Sequence, residues 1–70
     1  MDRISVVSSN VWSVGYDESS MTLEVAYRSG GVYHYYGVSS YEYQRLLFAS
    51  SKGTYMNEVI KPRYRCKRIA

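Results

Sequence analysis

The sequence predicts an α+β fold of two layers, a three-stranded antiparallel meander covered by two short helices, with an extended basic segment at the C-terminus. Three observations predict it. Apolar and polar residues alternate with period two in two early segments. Turn-forming clusters, Asp17-Glu18-Ser19-Ser20 and Ser29-Gly30-Gly31, separate what would be three strands. A helix start signal then appears at Ser39, and the apolar spacing changes to a helical one.

In the first strand Trp12, Val14 and Tyr16 alternate with Val11, Ser13 and Gly15. The second places Met21, Leu23, Val25 and Tyr27 on one face, and Thr22, Glu24, Ala26 and Arg28 on the other. A four-residue loop over Asp17–Ser20 pairs Tyr16 with Met21, Val14 with Leu23 and Trp12 with Val25. The apolar faces then coincide, which supports that register.

The second turn decides how the cluster Tyr33-His34-Tyr35-Tyr36 is placed. A two-residue loop at Ser29-Gly30 sends Val32, His34 and Tyr36 to the apolar face. A three-residue loop with a left-handed glycine sends Tyr33 and Tyr35 there instead, against Val25 and Leu23. The second is preferred, because it sets His34 beside the polar Arg28 and Glu24.

Ser39 and Glu42 have the spacing of a capping box, and Val38 is placed to staple onto Tyr43. The helix that follows shows Tyr43, Leu46 and Leu47 on one side. Ser50-Ser51 breaks it, and Ser51 caps a second helix with the stripe Tyr55, Met56, Val59 and Ile60. Pro62 is expected to end that helix by disfavouring helical geometry at Lys61. The alternating segment Arg63-Tyr64-Arg65-Cys66-Lys67-Arg68-Ile69 reads as an edge strand or extended tail.

Seventy residues form a single domain, 1–70, with its core at about 6–69. Cys66 is the lone cysteine, so stability rests on packing or self-association rather than on a disulfide within the chain. That lone thiol and the missing signal-like stretch point to the cytoplasm, and the apolar run Ile4–Val7 is far too short to span a bilayer. Charge is divided unevenly. Residues 1–44 carry Arg3 and Arg28 against Asp2, Asp17, Glu18, Glu24 and Glu42, whereas residues 45–70 carry seven Lys and Arg against Glu58. Five of the seven lie within Lys61–Arg68, a candidate anion-binding strip that can equally be a solvated tail.

The ordered motifs resemble those of the KTSC domain family. The residues carrying the likeness are Ser8-Ser9-Asn10, Val14-Gly15-Tyr16-Asp17, Leu23-Glu24-Val25 and Gly31-Val32-Tyr33-His34-Tyr35, followed by Val38, Leu46, Ser51-Lys52-Gly53, Tyr55-Met56-Asn57, Ile60 and Tyr64. Tyr33-His34-Tyr35 corresponds to the family's central Tyr-x-Tyr. Ser39 stands where a proline is common, and Met56 where an aromatic is usual. The family occurs at the C-terminus of some lysyl-tRNA synthetases and alone in bacteria and their viruses. That association implies RNA binding.

The residues offer little for catalysis or metal binding. His34 and Cys66 lack the clustered spacing of a zinc site, so no metal or other cofactor is expected. Nothing orients His34 towards Ser29 or Cys66 as a nucleophile, and Ser51-Lys52-Gly53-Thr54 lacks the glycine framework of a Walker-type loop. The sequence therefore points to a non-enzymatic binding module. The expected partner is RNA or another polyanion, held by Lys52, Gly53, Lys61, Arg63, Arg65, Lys67 and Arg68. Tyr33, His34, Tyr35, Tyr36 and Tyr64 supply the aromatic motif, with Tyr36 or Tyr64 available to stack a base. Gly53 would allow a phosphate close approach, or would merely permit close packing between the helices. The alternative is a protein-interaction module or homodimer, enclosing a small nucleotide-like ligand in one variant.

Overall fold

The computed structural model describes all 70 residues, Met1–Ala70. Five strands form one antiparallel sheet in chain order: β1 (Arg3–Ser5), β2 (Val11–Asp17), β3 (Thr22–Tyr27), β4 (Val32–Tyr36) and β5 (Cys66–Arg68). Between β4 and β5 run helix α1 (Ser40–Phe48) and a second helical stretch. The latter comprises α2 (Lys52–Tyr55), a π-helical turn (Met56–Ile60) and α3 (Lys61–Arg63). The α+β class and the helices over one face match the sequence expectation, but the sheet has five strands rather than three. The basic tail supplies β5, and β1 is an edge strand of three exposed residues that carries no periodic signature.

The core lies between the sheet and the helices. Val11, Val14, Leu23, Val25, Tyr35, Val38, Leu46, Met56 and Ile60 form one cluster with essentially no exposed surface. Burying a side chain the size of Leu46 or Ile60 contributes about 1.5–3 kcal/mol. Tyr16, Tyr27, Tyr33, Tyr43, Leu47, Tyr55 and Tyr64 pack around the rim of this cluster.

The first hairpin keeps a four-residue loop, displaced by one position to Glu18–Met21. Asp17 accepts hydrogen bonds from Ser19 and Ser20, and Met21 takes up φ 53°, a turn conformation. Tyr16 therefore pairs with Leu23 instead of Met21, and Val14 with Val25 instead of Leu23. The register moves by two residues, so each side chain stays on its expected face. Met21 and Trp12 are the exceptions: Met21 sits in the turn outside β3, exposed rather than on the apolar face expected for it. A bulge between Val11 and Ser13 brings Val11 into the core and leaves Trp12 56% exposed, not packed on Val25 as expected.

At the second hairpin Tyr27 N–H donates to Gly31 O, and Gly30 N–H to Tyr27 O, across a loop with Gly30 at φ 102°. This is the three-residue loop with a left-handed glycine. Tyr33 pairs with Val25 and Tyr35 with Leu23 on the core side.

The helix caps follow the sequence in part. Ser39 Oγ accepts from Glu42 N–H, and Ser51 Oγ from Thr54 N–H. The reciprocal half of the capping box is absent, because the Glu42 carboxylate is taken by Tyr55, Tyr64 and Arg63. Pro62 does not end the helix at Lys61; helical geometry continues to Arg63. The π turn explains this. Lys61 N–H donates to Met56 O, five residues back, so the ladder is already widened where the proline ring would crowd a carbonyl.

Candidate functional site

One face of the sheet has no helix over it. Register assigns that face the row Arg3, Gly15, Glu24, His34 and Lys67. Beside it lies the row Asp17, Thr22 and Tyr36, where Tyr36 N–H donates to Arg65 O. His34 Nε2 sits 2.7 Å from Glu24 Oε1, and Arg3 Nε is 3.4 Å from Glu24 Oε2. Glu24 is thus matched on both sides. Arg28, the other neighbour expected for His34, instead donates to Ser8 O and stacks over Trp12. The Asp17 carboxyl is held below its ordinary range by hydrogen bonds from Ser19 and Ser20.

Two cations remain uncommitted on this face. Lys67 stands opposite His34, and Arg65 shares its parity at the end beside Tyr36; neither pairs with a carboxylate. Tyr36 is 40% exposed and meets the His34 ring edge-on at 6.2 Å.

The structure distributes the rest of the basic strip elsewhere. Lys61 Nζ lies 5.2 Å from the centre of the Tyr27 ring, on the opposite side of the sheet. Arg63 reaches Glu42 at 3.5 Å. Arg68 pairs with Tyr33 in the register, and its Nε donates to Ala70 O. Lys52 Nζ donates to Ala49 O at 2.7 Å and so closes the C-terminus of α1. Gly53 is buried against Asn10.

The tyrosines divide in the same way. Tyr35 is buried, its hydroxyl 2.6 Å from that of Tyr27, and Tyr33 packs beside both. Burial raises the pKa of both members of the hydroxyl pair, and for Tyr27 the bond to Tyr35 adds to the effect. Tyr64 is half-buried and donates to Glu42 Oε1 at 3.0 Å, which leaves Tyr36 as the free ring of the motif. Sequence reasoning missed Arg3, because β1 has no pattern of its own. It also missed the Glu42 cluster, whose only local signal was spent on the cap.

No group of three or more His, Cys, Asp or Glu side chains is placed to hold a metal ion, and no helix is long and apolar enough to cross a membrane. The molecule is therefore a small α+β module with an uncovered, partly basic sheet face and an aromatic-rimmed core. The chain belongs to the KTSC domain family, whose model matches residues 7–64. It is similar to an uncharacterized protein of Stutzerimonas stutzeri, 43% identical over 70 residues that cover 99% of each chain. A protein of Tsukamurella paurometabola is 37% identical over 60 residues, covering 86% of this chain and 90% of the relative. The crystal structure of a KTSC domain protein from Yersinia pestis superposes with a TM-score of 0.95 at 38% identity. That match covers 99% of this chain and 97% of the other.

Proposed function

We propose that this chain is a non-enzymatic module that binds single-stranded RNA, or a similar polyanion, across the uncovered face of its sheet. One observation carries the reading: β5 folds onto β4 so that Lys67 and Arg65 flank His34 and Tyr36 on a face without helix cover. Cations that fit phosphates and a ring that can stack on a base then share one flat surface. Such a combination suits single strands, whose bases are free to splay onto a sheet. The resemblance to a domain found on lysyl-tRNA synthetases is consistent with the same partner. A cytoplasmic setting suits the exposed, unpaired thiol of Cys66.

The test is fluorescence anisotropy with a labelled single-stranded RNA, titrated at several salt concentrations. Each phosphate contact with a single strand contributes a slope of roughly −0.7 in log K against log salt. Replacing Arg65 and Lys67 together by alanine should flatten that slope by about 1.4. Tyr36→Ala should cost about 1–3 kcal/mol of binding if the ring stacks a base. No measurable binding at low ionic strength, or binding indifferent to all three substitutions, sinks the proposal.

A second reading rests on the exposed rings of Trp12 and Tyr36, which a second copy of the chain could cover. Light scattering separates the two. A dimer dissociated by Tyr36→Glu favours self-association, and a monomer that binds RNA favours the first reading.

A further inference from the structure

A cleft opens on the other side of the molecule, between the Ser8–Asn10 loop and the second helical stretch. It has a volume of about 270 Å³ and is lined by Ser9, Asn10, Tyr27, Ser29, Gly53, Asn57 and Lys61. An adjoining chamber of about 320 Å³ is lined by Tyr27, Tyr33, Tyr35, Lys61 and Cys66 together with the Ser29-Gly30 turn. Tyr27, Ser29 and Lys61 line both, so the two spaces are halves of one trough, polar at one end and aromatic at the other. Each half is near the lower end of the roughly 300–1,000 Å³ that small-molecule sites occupy, and the trough as a whole falls within it.

The polar half is built rather than accidental. Ser8 Oγ accepts from the N–H groups of Asn10 and Val11, which fixes the loop as a turn. Arg28 ties that loop down twice, with its N–H on Asn10 O and its Nε on Ser8 O, both at 2.8 Å. Gly53 lets the helix approach Asn10 closely. Gly53, Asn57 and Lys61 recur every four residues along the helical stretch. In an α-helix each step of four overshoots a turn of about 3.6 residues, and the stripe would drift around the axis. The π turn over Met56–Ile60 is wider and offsets that drift, so all three reach the same cleft. Such π turns are frequent where a helix carries a functional side chain.

Ser9, Asn10, Ser29 and Asn57 line this cleft with exposed side chains open to a ligand, and Lys61, also exposed, makes no ion pair. No carboxylate lines either half. Lys61 is held over the Tyr27 ring at the junction, with its ammonium close to both spaces. We infer that this trough binds a small molecule bearing one phosphate or carboxylate group and a flat ring. The anionic group meets Lys61, Asn57 and Asn10, and the ring lies along Tyr27, Tyr33 and Tyr35. A lysine is a compact point charge suited to an anion, and the neutral amides and hydroxyls satisfy the remaining oxygens. The site does not depend on the sheet-face reading.

The test is a set of ¹H–¹⁵N chemical-shift titrations of the whole chain with three probes: AMP, inorganic phosphate and adenosine. AMP is expected to shift the amides of Ser9, Asn10, Asn57 and Lys61 and those of the chamber. Phosphate should shift the polar set alone and bind at least about tenfold more weakly, a difference of about 1.4 kcal/mol. Lys61→Met keeps an aliphatic stem over Tyr27 and removes the charge; it should weaken AMP by at least about tenfold with the thermal melt retained. Asn57→Asp sets a carboxylate in the cleft and serves as a second variant at an exposed position. Four results overturn the inference: no shifts at millimolar AMP, affinity unchanged in both variants, adenosine binding as tightly as AMP, or shifts centred on His34, Tyr36 and Lys67.

Discussion

Gly53 and Asn10 meet so closely that a methyl group on Gly53 would lie 2.8 Å from Asn10 Nδ2 and 3.2 Å from Asn10 Cβ. A glycine-to-alanine exchange within a helix ordinarily gains up to about 1 kcal/mol. Here the gain is opposed by displacement of the loop that carries Asn10. Gly53→Ala is therefore expected to be neutral or destabilising by up to about 1 kcal/mol. In an Asn10→Gly background, which removes every atom in the way, the same change should recover its gain. Urea unfolding of the four proteins in this cycle gives the coupling directly, and additive effects would show that the contact carries no energy.

This contact also marks how far the sequence could be read. A close-packing role for Gly53 was visible, but the partner is a loop distant in sequence, not the other helix. Face assignments were legible wherever period two held, as for Leu23, Val25 and Tyr27. They survived a two-residue error in register because such an error preserves parity. The placement of Tyr33 and Tyr35 was legible from the glycine content of the second turn. Trp12 was not, because a bulge is set by the partner strand and leaves no local mark. The charges of the tail were plain, whereas their division among Tyr27, Glu42 and the open face depends on where β5 docks. With Arg68 held on the Ala70 carbonyl, a cluster of charge in sequence became four separate environments in space.

Glu42 is a buried carboxylate with donors from two later elements, the Tyr55 and Tyr64 hydroxyls, and an outer contact from Arg63. It joins α1 to the second helical stretch and to the chain entering β5. Removing the acceptor leaves the half-buried Tyr64 hydroxyl without a partner and the Tyr55 hydroxyl with only the N–H that Arg45 Nε donates to it. Glu42→Ala is expected to cost about 2–4 kcal/mol, combining lost charge-assisted bonds with a desolvated remainder. Arg63→Ala should cost less than about 1 kcal/mol, because its side chain is 66% exposed and its contact is long. Tyr55→Phe should fall between them. Denaturant midpoints rank the three, and equal losses for Glu42→Ala and Arg63→Ala would refute a buried network centred on the hydroxyls.

Tyr16, Tyr27, Tyr35, Tyr43, Tyr55 and Tyr64 are all held above the ordinary tyrosine pKa, in each case chiefly by burial. The sign of the consequence follows from linkage. The unfolded chain releases these protons near the reference value of about 10, while the folded chain retains them. Their contribution is complete below that pH and declines as pH rises above it, since the folded state then binds more protons than the unfolded one. Stability should thus be level between about pH 7 and pH 9 and fall beyond about pH 10. Tyrosinate absorbance should appear together with the loss of structure for the buried rings. Lysines titrate in the same region, so the decisive comparison is with Tyr27→Phe. That variant loses the hydroxyl pair with Tyr35, about 1 kcal/mol at neutral pH, and should show a shallower alkaline decline than the parent. Parallel declines in the two proteins would mean that Tyr27 does not govern alkaline unfolding.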